Sequence, residues 1–445
     1  MTRLVLVVGL VGITASPAFA DGAYPDNVPG ISETAPGLAP EGVLAPISIV
    51  EGAGVKIGEG TVLHPIVGME TGYVSNVFYN ASNENPTGAA ILRLVAQIGT
   101  GSLSPQRMAP TTPEDIEQTQ DQGMITFRAD LRASYDFYLS GNEAVTSQDG
   151  LGLGAVFRGQ VLPLHTWSLL YLEDFERLIR PTNFESNQQL NRDINHVQLG
   201  VQFAPKDESL SGLLHFENIV DLFESDGSKF ADRVQNSLGV TASWRFRPLT
   251  VLFADVTEQY NTGLDANSRK VNSYPLTATT GIQTLLSLNT WIVGHVGYTN
   301  GFYSVGPSYS TVVGGAQFGY RYAVTGRVTA MYDYNHQDSI NANYFRDHDI
   351  RVLLEQQFVP FVLTIQPEVR LRHYDGVDMV EGTGPNTRDD VIFTLAVGAR
   401  YNFRDWFAAV FQYQLSDDQT DYRDPMGDNP SFVRHDIVVG VRAAL

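Results

Sequence analysis

Met124–Phe137 reads MITFRADLRASYDF. Ile125, Phe127, Ala129, Leu131, Ala133, Tyr135 and Phe137 alternate with Thr126, Arg128, Asp130, Arg132, Ser134 and Asp136. Successive side chains of a strand point to opposite faces, so this pattern makes one apolar face and one carrying two Arg and two Asp. At about 3.4 Å per residue the stretch crosses a bilayer even when tilted. Strands of a soluble sandwich are usually only about five or six residues long. Period and length together predict a strand of a membrane barrel, with hydrocarbon outside and charges turned inward.

The same pattern recurs on both sides of it. Thr61–Val74 comes before an Asn-rich loop, and Ala90–Ile98 puts Arg93 and Gln97 opposite Leu92, Leu94, Ala96 and Ile98. Between Ala90–Ile98 and the opening stretch lies Pro105–Gln122, whose Thr112-Pro113-Glu114-Asp115 start predicts one short helix. Paired segments follow: Leu151–Val161 with Thr166–Asp174, Asn195–Phe203 with Leu210–Val220, and Ser237–Phe246 with Thr250–Glu258. Tyr274–Leu286 pairs with Thr290–Tyr298, Ser310–Tyr322 with Arg327–Asn335, Asp349–Phe358 with Val362–Arg372, and Val391–Phe403 with Trp406–Leu415. Ser431–Leu445 closes the chain, with Ile437, Val439, Val441, Ala443 and Leu445 on the lipid side. Leu445 stands where such barrels commonly end in Phe. The expected fold is an all-β, transmembrane, antiparallel up-and-down β-barrel of about 18 strands (roughly 16–18).

Connection lengths support this topology. Tight turns at Pro163, Pro205, Pro248, Asn289, Gly326, Pro360 and Asp405 alternate with long polar loops such as Asp226–Arg233, Asn261–Asn272, His336–His348, Asp375–Asp390 and Asp417–Pro430. Outer-membrane barrels have short periplasmic turns and long extracellular loops, whereas a sandwich has no reason to place its long loops at one end; the single exception is the long second connection, which this scheme places on the periplasmic side. Phe203, Trp244, Phe246, Trp291, Phe358, Phe361, Phe403, Trp406 and Phe407 gather near the tight turns and predict an aromatic girdle at the periplasmic interface.

Met1–Ala20 has the form of a secretory signal peptide: Arg3, an apolar core from Leu4 to Ala15, and Ala18-Phe19-Ala20 before the cleavage point. Residues 21–60, with five Pro, predict an extended periplasmic lead-in, and 61–445 the barrel. The whole chain carries −20, and removal of the signal takes away one Arg and leaves −21. This acidic balance argues against nucleic acid as a partner. There is no Cys, so neither disulfides nor thiolate metal sites hold the fold. A mean hydropathy of −0.11 fits a barrel whose apolar outside and polar inside cancel.

The inward pattern collects charges of both signs. On the first strands these are Arg93, Arg128, Asp130, Arg132 and Asp136; later come Arg245, Arg321, Arg327, Asp333, Arg351, Glu355, Glu368, Arg370, Arg372, Arg400 and Arg442. Basic rings attract anions, so these are the candidate pore-lining residues. The same residues could instead pair across strands and only hold the wall together. Loop acids such as Asp417, Asp418, Asp421 and Asp424 could bind divalent cations that bridge lipopolysaccharide phosphates, or be solvated loop residues. The His residues are scattered without metal-ligand spacing, and no G-x-S-x-G elbow or phosphate-cradling glycine motif occurs, so no catalytic residue, cofactor or metal ligand is assigned.

Gly72-Tyr73-Val74-Ser75-Asn76-Val77-Phe78, following His64-Pro65-Ile66-Val67-Gly68, resembles the entry of the β-barrel porin 2 family, with Ser75 where an Asp is common. The resemblance implies an outer-membrane barrel over roughly Thr61–Leu445, in some members linked to exopolysaccharide export. Together these readings lead to a porin-like channel for polar solutes or exopolysaccharide, performing no chemistry. Its expected surroundings are outer-membrane lipid, lipopolysaccharide, the barrel-assembly machinery and polysaccharide export components. The alternatives are a plugged structural or adhesive barrel and an outer-membrane hydrolase. About forty residues before the first strand are too few for the globular plug of a TonB-coupled receptor. Recovery with the outer-membrane fraction, starting at Asp21, is the expected outcome of cell fractionation; a mature chain soluble in the periplasm contradicts the reading.

Overall fold

The computed structural model describes residues 54–57, 61–81, 85–102, 124–163, 165–179, 191–205, 209–247, 249–264, 272–287, 289–323, 325–339, 342–377, 387–420, 422–423 and 429–445. The signal peptide, nearly all of the lead-in and the helix read at Thr112 fall outside them. The first strands are β1 (Val55–Lys56), β2 (Thr61–Val74), β3 (Ala89–Ser102), β4 (Ile125–Leu139), β5 (Gly150–Val161) and β6 (Trp167–Leu178). Then come β7 (Arg192–Phe203), β8 (Leu210–Phe223), β9 (Arg233–Arg247), β10 (Thr250–Gly263), β11 (Ser273–Ser287), β12 (Thr290–Tyr303) and β13 (Tyr309–Ala323). The chain ends in β14 (Gly326–Asp338), β15 (Tyr344–Phe358), β16 (Phe361–Asp375), β17 (Thr387–Arg404), β18 (Phe407–Thr420) and β19 (Phe432–Ala444).

From β2 to β19 every strand pairs antiparallel with its successor, and β19 pairs back onto β2 from Ala444 opposite Ile66 to Asp436 opposite Val74. The ring is therefore a closed barrel of 18 strands. β1 continues β19 along the same edge of β2: Val55 and Lys56 face Leu63 and Val62, and the Gly54 amide donates to the Leu445 carbonyl at 2.9 Å. Backbone groups next to hydrocarbon have no water to bond, and ring closure satisfies them without leaving an edge.

Alternation decides which side faces out. On β4, Leu131 is 55% exposed while Asp136 is fully buried; on β9, Val240 and Trp244 are exposed opposite buried Ser237 and Thr241. β5 and β10, whose alternation is weak, are full members of the ring, held by twelve paired residues of β4 and fourteen of β9. Exposed Trp244, Phe246, Phe358, Phe403 and Trp406 lie at the tight-turn end, joined there by Trp167, Tyr320, Tyr322 and Tyr401. Trp291 is a correction to the predicted girdle. It sits opposite Gly319 in the register, and a Cβ on Gly319 would lie 1.9 Å from its ring. Trp291 thus shares the inward side with His295, and a glycine opposite makes the room for it.

The connections keep their asymmetry. β9–β10, β11–β12, β13–β14, β15–β16 and β17–β18 are joined by two residues each, while the opposite end carries longer loops, one holding a 3-10 turn at Asp226–Ala231; the exception is the long connection from Ser102 to Ile125, at the tight-turn end. Several of those loops are shorter than the polar runs suggest. β14 continues to Asp338 and β15 begins at Tyr344, so His336–His348 is mostly ladder. Strands of fourteen or fifteen residues stand taller than an apolar band of about 25 Å. Where they emerge, both faces meet water and alternation fades while backbone pairing persists. Val240→Arg, near the middle of the outer face of β9, should destabilise the barrel in lipid by about 2–4 kcal/mol, read from denaturant unfolding in liposomes.

Candidate functional site

Two sectors of the inward face differ in character. From β14 round through β19 to β4 it is a network of ion pairs. Arg93 donates to both oxygens of Asp136, at 2.5 and 2.9 Å, and neither side chain is more than 3% exposed. Arg372 makes a two-pronged pair with Asp347 at 2.8 Å, and its guanidinium lies 3.8 Å from the Phe345 ring centroid. Glu368 lies between Arg370, which donates to it, and Arg351 at 3.1 Å. Arg327 bonds Glu355, Arg442 bonds Glu70 at 2.7 Å, and Arg388 pairs with Asp390 and stands 3.6 Å from Asp418. Adjacent inward positions on paired strands place these partners together, and a buried charge persists only where such a partner is supplied.

From β9 to β13 the inward residues of the middle of the wall are mostly hydroxyls, amides and glycines. Thr277 and Thr299 share a hydrogen bond at 2.9 Å, and Asn261 donates to Ser273 at 3.1 Å. Asp255 accepts from Thr241 at 2.6 Å. Beside it on β8, Glu217 lies 3.5 Å from His215 and accepts from Gln198 at 2.9 Å. Among the described residues no group of three His, Cys, Asp or Glu could hold a metal ion.

Every candidate pore-lining residue has the inward parity of its strand, but the structure sorts them into two kinds. Arg93, Asp136, Arg327, Glu355, Arg351, Glu368, Arg370 and Arg372 are tied into pairs. Arg128 pairs with Asp130 on its own strand at 2.7 Å yet keeps 46% of its side chain exposed. Arg132 lies against Gly154, and Asp333 meets His295 at 3.3 Å and Asn335 at 2.9 Å. Arg400 on β17 and Arg442 on β19, with β18 between them, lie towards the tight-turn end, which also holds exposed Arg158 and Arg321. Among the described residues inward acids there are fewer, chiefly Asp130, Asp174 on the same register level, and Glu355, and Glu355 is fully buried. The accessible inner surface at this end therefore leans positive.

Sequence reading missed Glu70, Asp347, Arg388, Asp390, Asp255 and Glu217. Each sits at an inward position, so the signal was the alternation itself carried to the strand ends. Its sequence setting puts Asp418 among the loop acids. It is instead an inward residue of β18 with no exposed surface, which removes it from any cation-binding loop. The Gly72–Phe78 stretch also has a structural role. Asn76 donates to the carbonyls of Asn80 (2.8 Å) and Val433 (3.2 Å), and Ser75 accepts from the His435 amide at 2.8 Å, pinning the first loop to the β19–β2 seam.

No protein-family model matches the sequence, and no curated protein does. The resemblance drawn from Gly72–Phe78 therefore stays that of one short stretch. Among solved structures the chain is similar to OccK2 (OpdF) of Pseudomonas aeruginosa, at 12% identity and a TM-score of 0.44, over 86% of this chain and 98% of that one. It is also similar to a BenF-like porin of Pseudomonas fluorescens Pf-5 (10%, TM-score 0.45, 86% and 98%) and to the siderophore receptor PirA of Pseudomonas aeruginosa (6%, TM-score 0.40, 86% and 80%). Strand pairing by itself establishes the barrel.

Breaking a buried pair from one side leaves an uncompensated charge. Arg372→Ala should cost about 3–5 kcal/mol, whereas Arg372→Met combined with Asp347→Leu should cost much less, as measured by denaturant unfolding of the reconstituted barrel.

Proposed function

We propose that the protein is an outer-membrane channel for passive passage of small polar solutes, with a preference for anions and no chemical step. One observation carries the reading: a closed ring of 18 strands that is apolar outside and ionisable inside. That arrangement suits a wall between hydrocarbon and a wet interior, and at this strand number a barrel is wide enough to hold an aqueous path. The anion preference is supported by the uneven exposure of the inner charges. Asp136, Glu368 and Asp418 are buried together with Arg93, Arg370 and Arg388, so the pairs cancel, and exposed Arg128, Arg158 and Arg321 leave a solute meeting more positive than negative charge.

The signal peptide supports export, and the turn-and-loop asymmetry supports a barrel with its tight turns in the periplasm. Lipopolysaccharide and the assembly machinery are the partners such a location calls for. Polysaccharide passage, with export components as partners, is a narrower version that draws only on the Gly72–Phe78 resemblance. A plugged barrel is the second reading, and the burial of so many inward charges in the β14–β4 sector favours it over a wide pore.

Planar-bilayer recordings of the folded protein test both. Stable steps with anion-leaning reversal potentials are expected, and the lean should weaken in Arg128→Gln/Arg321→Gln. Silence from folded protein contradicts the channel and supports the plugged barrel.

A further inference from the structure

Above Gly314 and Tyr334 the ladder between β13 and β14 stops, although β13 extends back to Tyr309 and β14 runs on to Asp338. Below that point the even-numbered residues of β14 and β15 face outward, as exposed Tyr332 and Ile350 show. Above it the same parity faces a different surface. The Tyr344 ring lies 4.7 Å from that of Tyr309 and 5.9 Å from that of Tyr303, and His336 lies 4.6 Å from Tyr309. Tyr303 and Tyr309 have the inward parity of His295 and Gly315. The outer side of the upper β14–β15 hairpin thus rests on the inner side of β12 and β13. The hairpin has passed inside its neighbours.

Two sets of polar contacts hold it there. Asp338 accepts from the Tyr303 hydroxyl at 3.4 Å and stands 3.5 Å from the guanidinium of Arg233. Arg233 opens β9, five strands away round the ring, and also bonds Asp221 at 3.2 Å. This contact therefore reaches across the mouth and not along the wall. Asn343 donates from its side chain to the carbonyls of Val305 (2.8 Å) and Pro307 (3.0 Å), and its amide donates to Asp375 at 3.0 Å. Gly306 makes the first of these possible: its φ is +85°, and a Cβ there would lie 2.5 Å from the Asn343 amide nitrogen.

We infer that the upper ends of β14 and β15 form a flap across the extracellular mouth, latched by Asp338 and Asn343 and hinged where the β13–β14 ladder ends. Its geometry stands by itself; its effect on flow rests on the channel reading above. A continuous wall would hold this segment by a full backbone ladder. Here the side facing β13 is held by long polar contacts and ring faces that carry hydroxyl and imidazole groups, a surface that water can replace at modest cost. β15 stays laddered to β16 up to Tyr344 opposite Asp375, so release of the latches frees only the β13 side; the hairpin swings on its β16 edge, turns its outer side back to solvent and widens the mouth.

The absence of native cysteine makes the test direct. Arg233→Cys/Asp338→Cys is bridged in the folded full-length protein with a short, reducible bis-methanethiosulfonate, and single-channel conductance is recorded before and after reduction. Asp338→Asn/Asn343→Ala is recorded alongside, with folding checked by circular dichroism. The bridge is expected to form, conductance to rise at least about twofold on reduction, and the latch variant to exceed the unmodified protein by a similar factor. Failure to bridge in the folded barrel overturns the flap. So does a conducting channel that is indifferent to both the bridge and the latch variant, and that result leaves the channel reading intact. Silence from every form despite a formed bridge overturns the channel reading and the flap's role with it.

Discussion

A polypeptide surrounded by hydrocarbon must satisfy every backbone amide and carbonyl from within, and this constraint orders the structure. Antiparallel pairing between successive strands meets it everywhere except at the first and last, and the β19–β2 ladder meets it there. Once the ring is closed, each strand has only two environments to offer its side chains. The alternation of Met124–Phe137 is the record of that choice. Lead-in strand β1 extends the solution by one step, covering the edge of β2 that β19 is too short to reach.

Closure also explains the interior. Inward positions on neighbouring strands face one another at close range, so charges of opposite sign placed there find each other across the ladder. Arg93 with Asp136, Arg372 with Asp347 and Arg442 with Glu70 are such pairs. Buried pairs of this type contribute little net stability relative to apolar packing, yet they are costly to break singly. They keep the inner wall polar while burying the paired carboxylates and guanidiniums alike. The cations that remain exposed lie mainly towards the tight turns.

Fold class and strand number were legible because period-two alternation survives wherever one face meets lipid. Legibility failed where that condition ends. Polar residues between Asn335 and His348 looked like a loop because, beyond the apolar band, nothing distinguishes the two faces. Trp291 looked like a girdle residue because its type and position near a turn outweighed its parity, and the parity was right. The candidate charges were found, but their partners were not. Pairing Arg372 with Asp347 requires the register of two strands, and a single sequence holds the alternation without the offset. The inward turn of the β14–β15 hairpin could not be read at all, since it depends on where one ladder stops.

The claim on which the rest depends is that odd-numbered residues of β4 face lipid and even-numbered ones face the interior. Single cysteines placed along Ile125–Leu139 in the cysteine-free chain, labelled with a fluorophore in reconstituted vesicles, report this directly through a lipid-phase quencher and a water-soluble one. The account predicts strong lipid-phase quenching at 127, 129, 131, 133, 135 and 137 and none at the positions between. Equal quenching at odd and even positions, or access of the aqueous quencher to all of them, would contradict it.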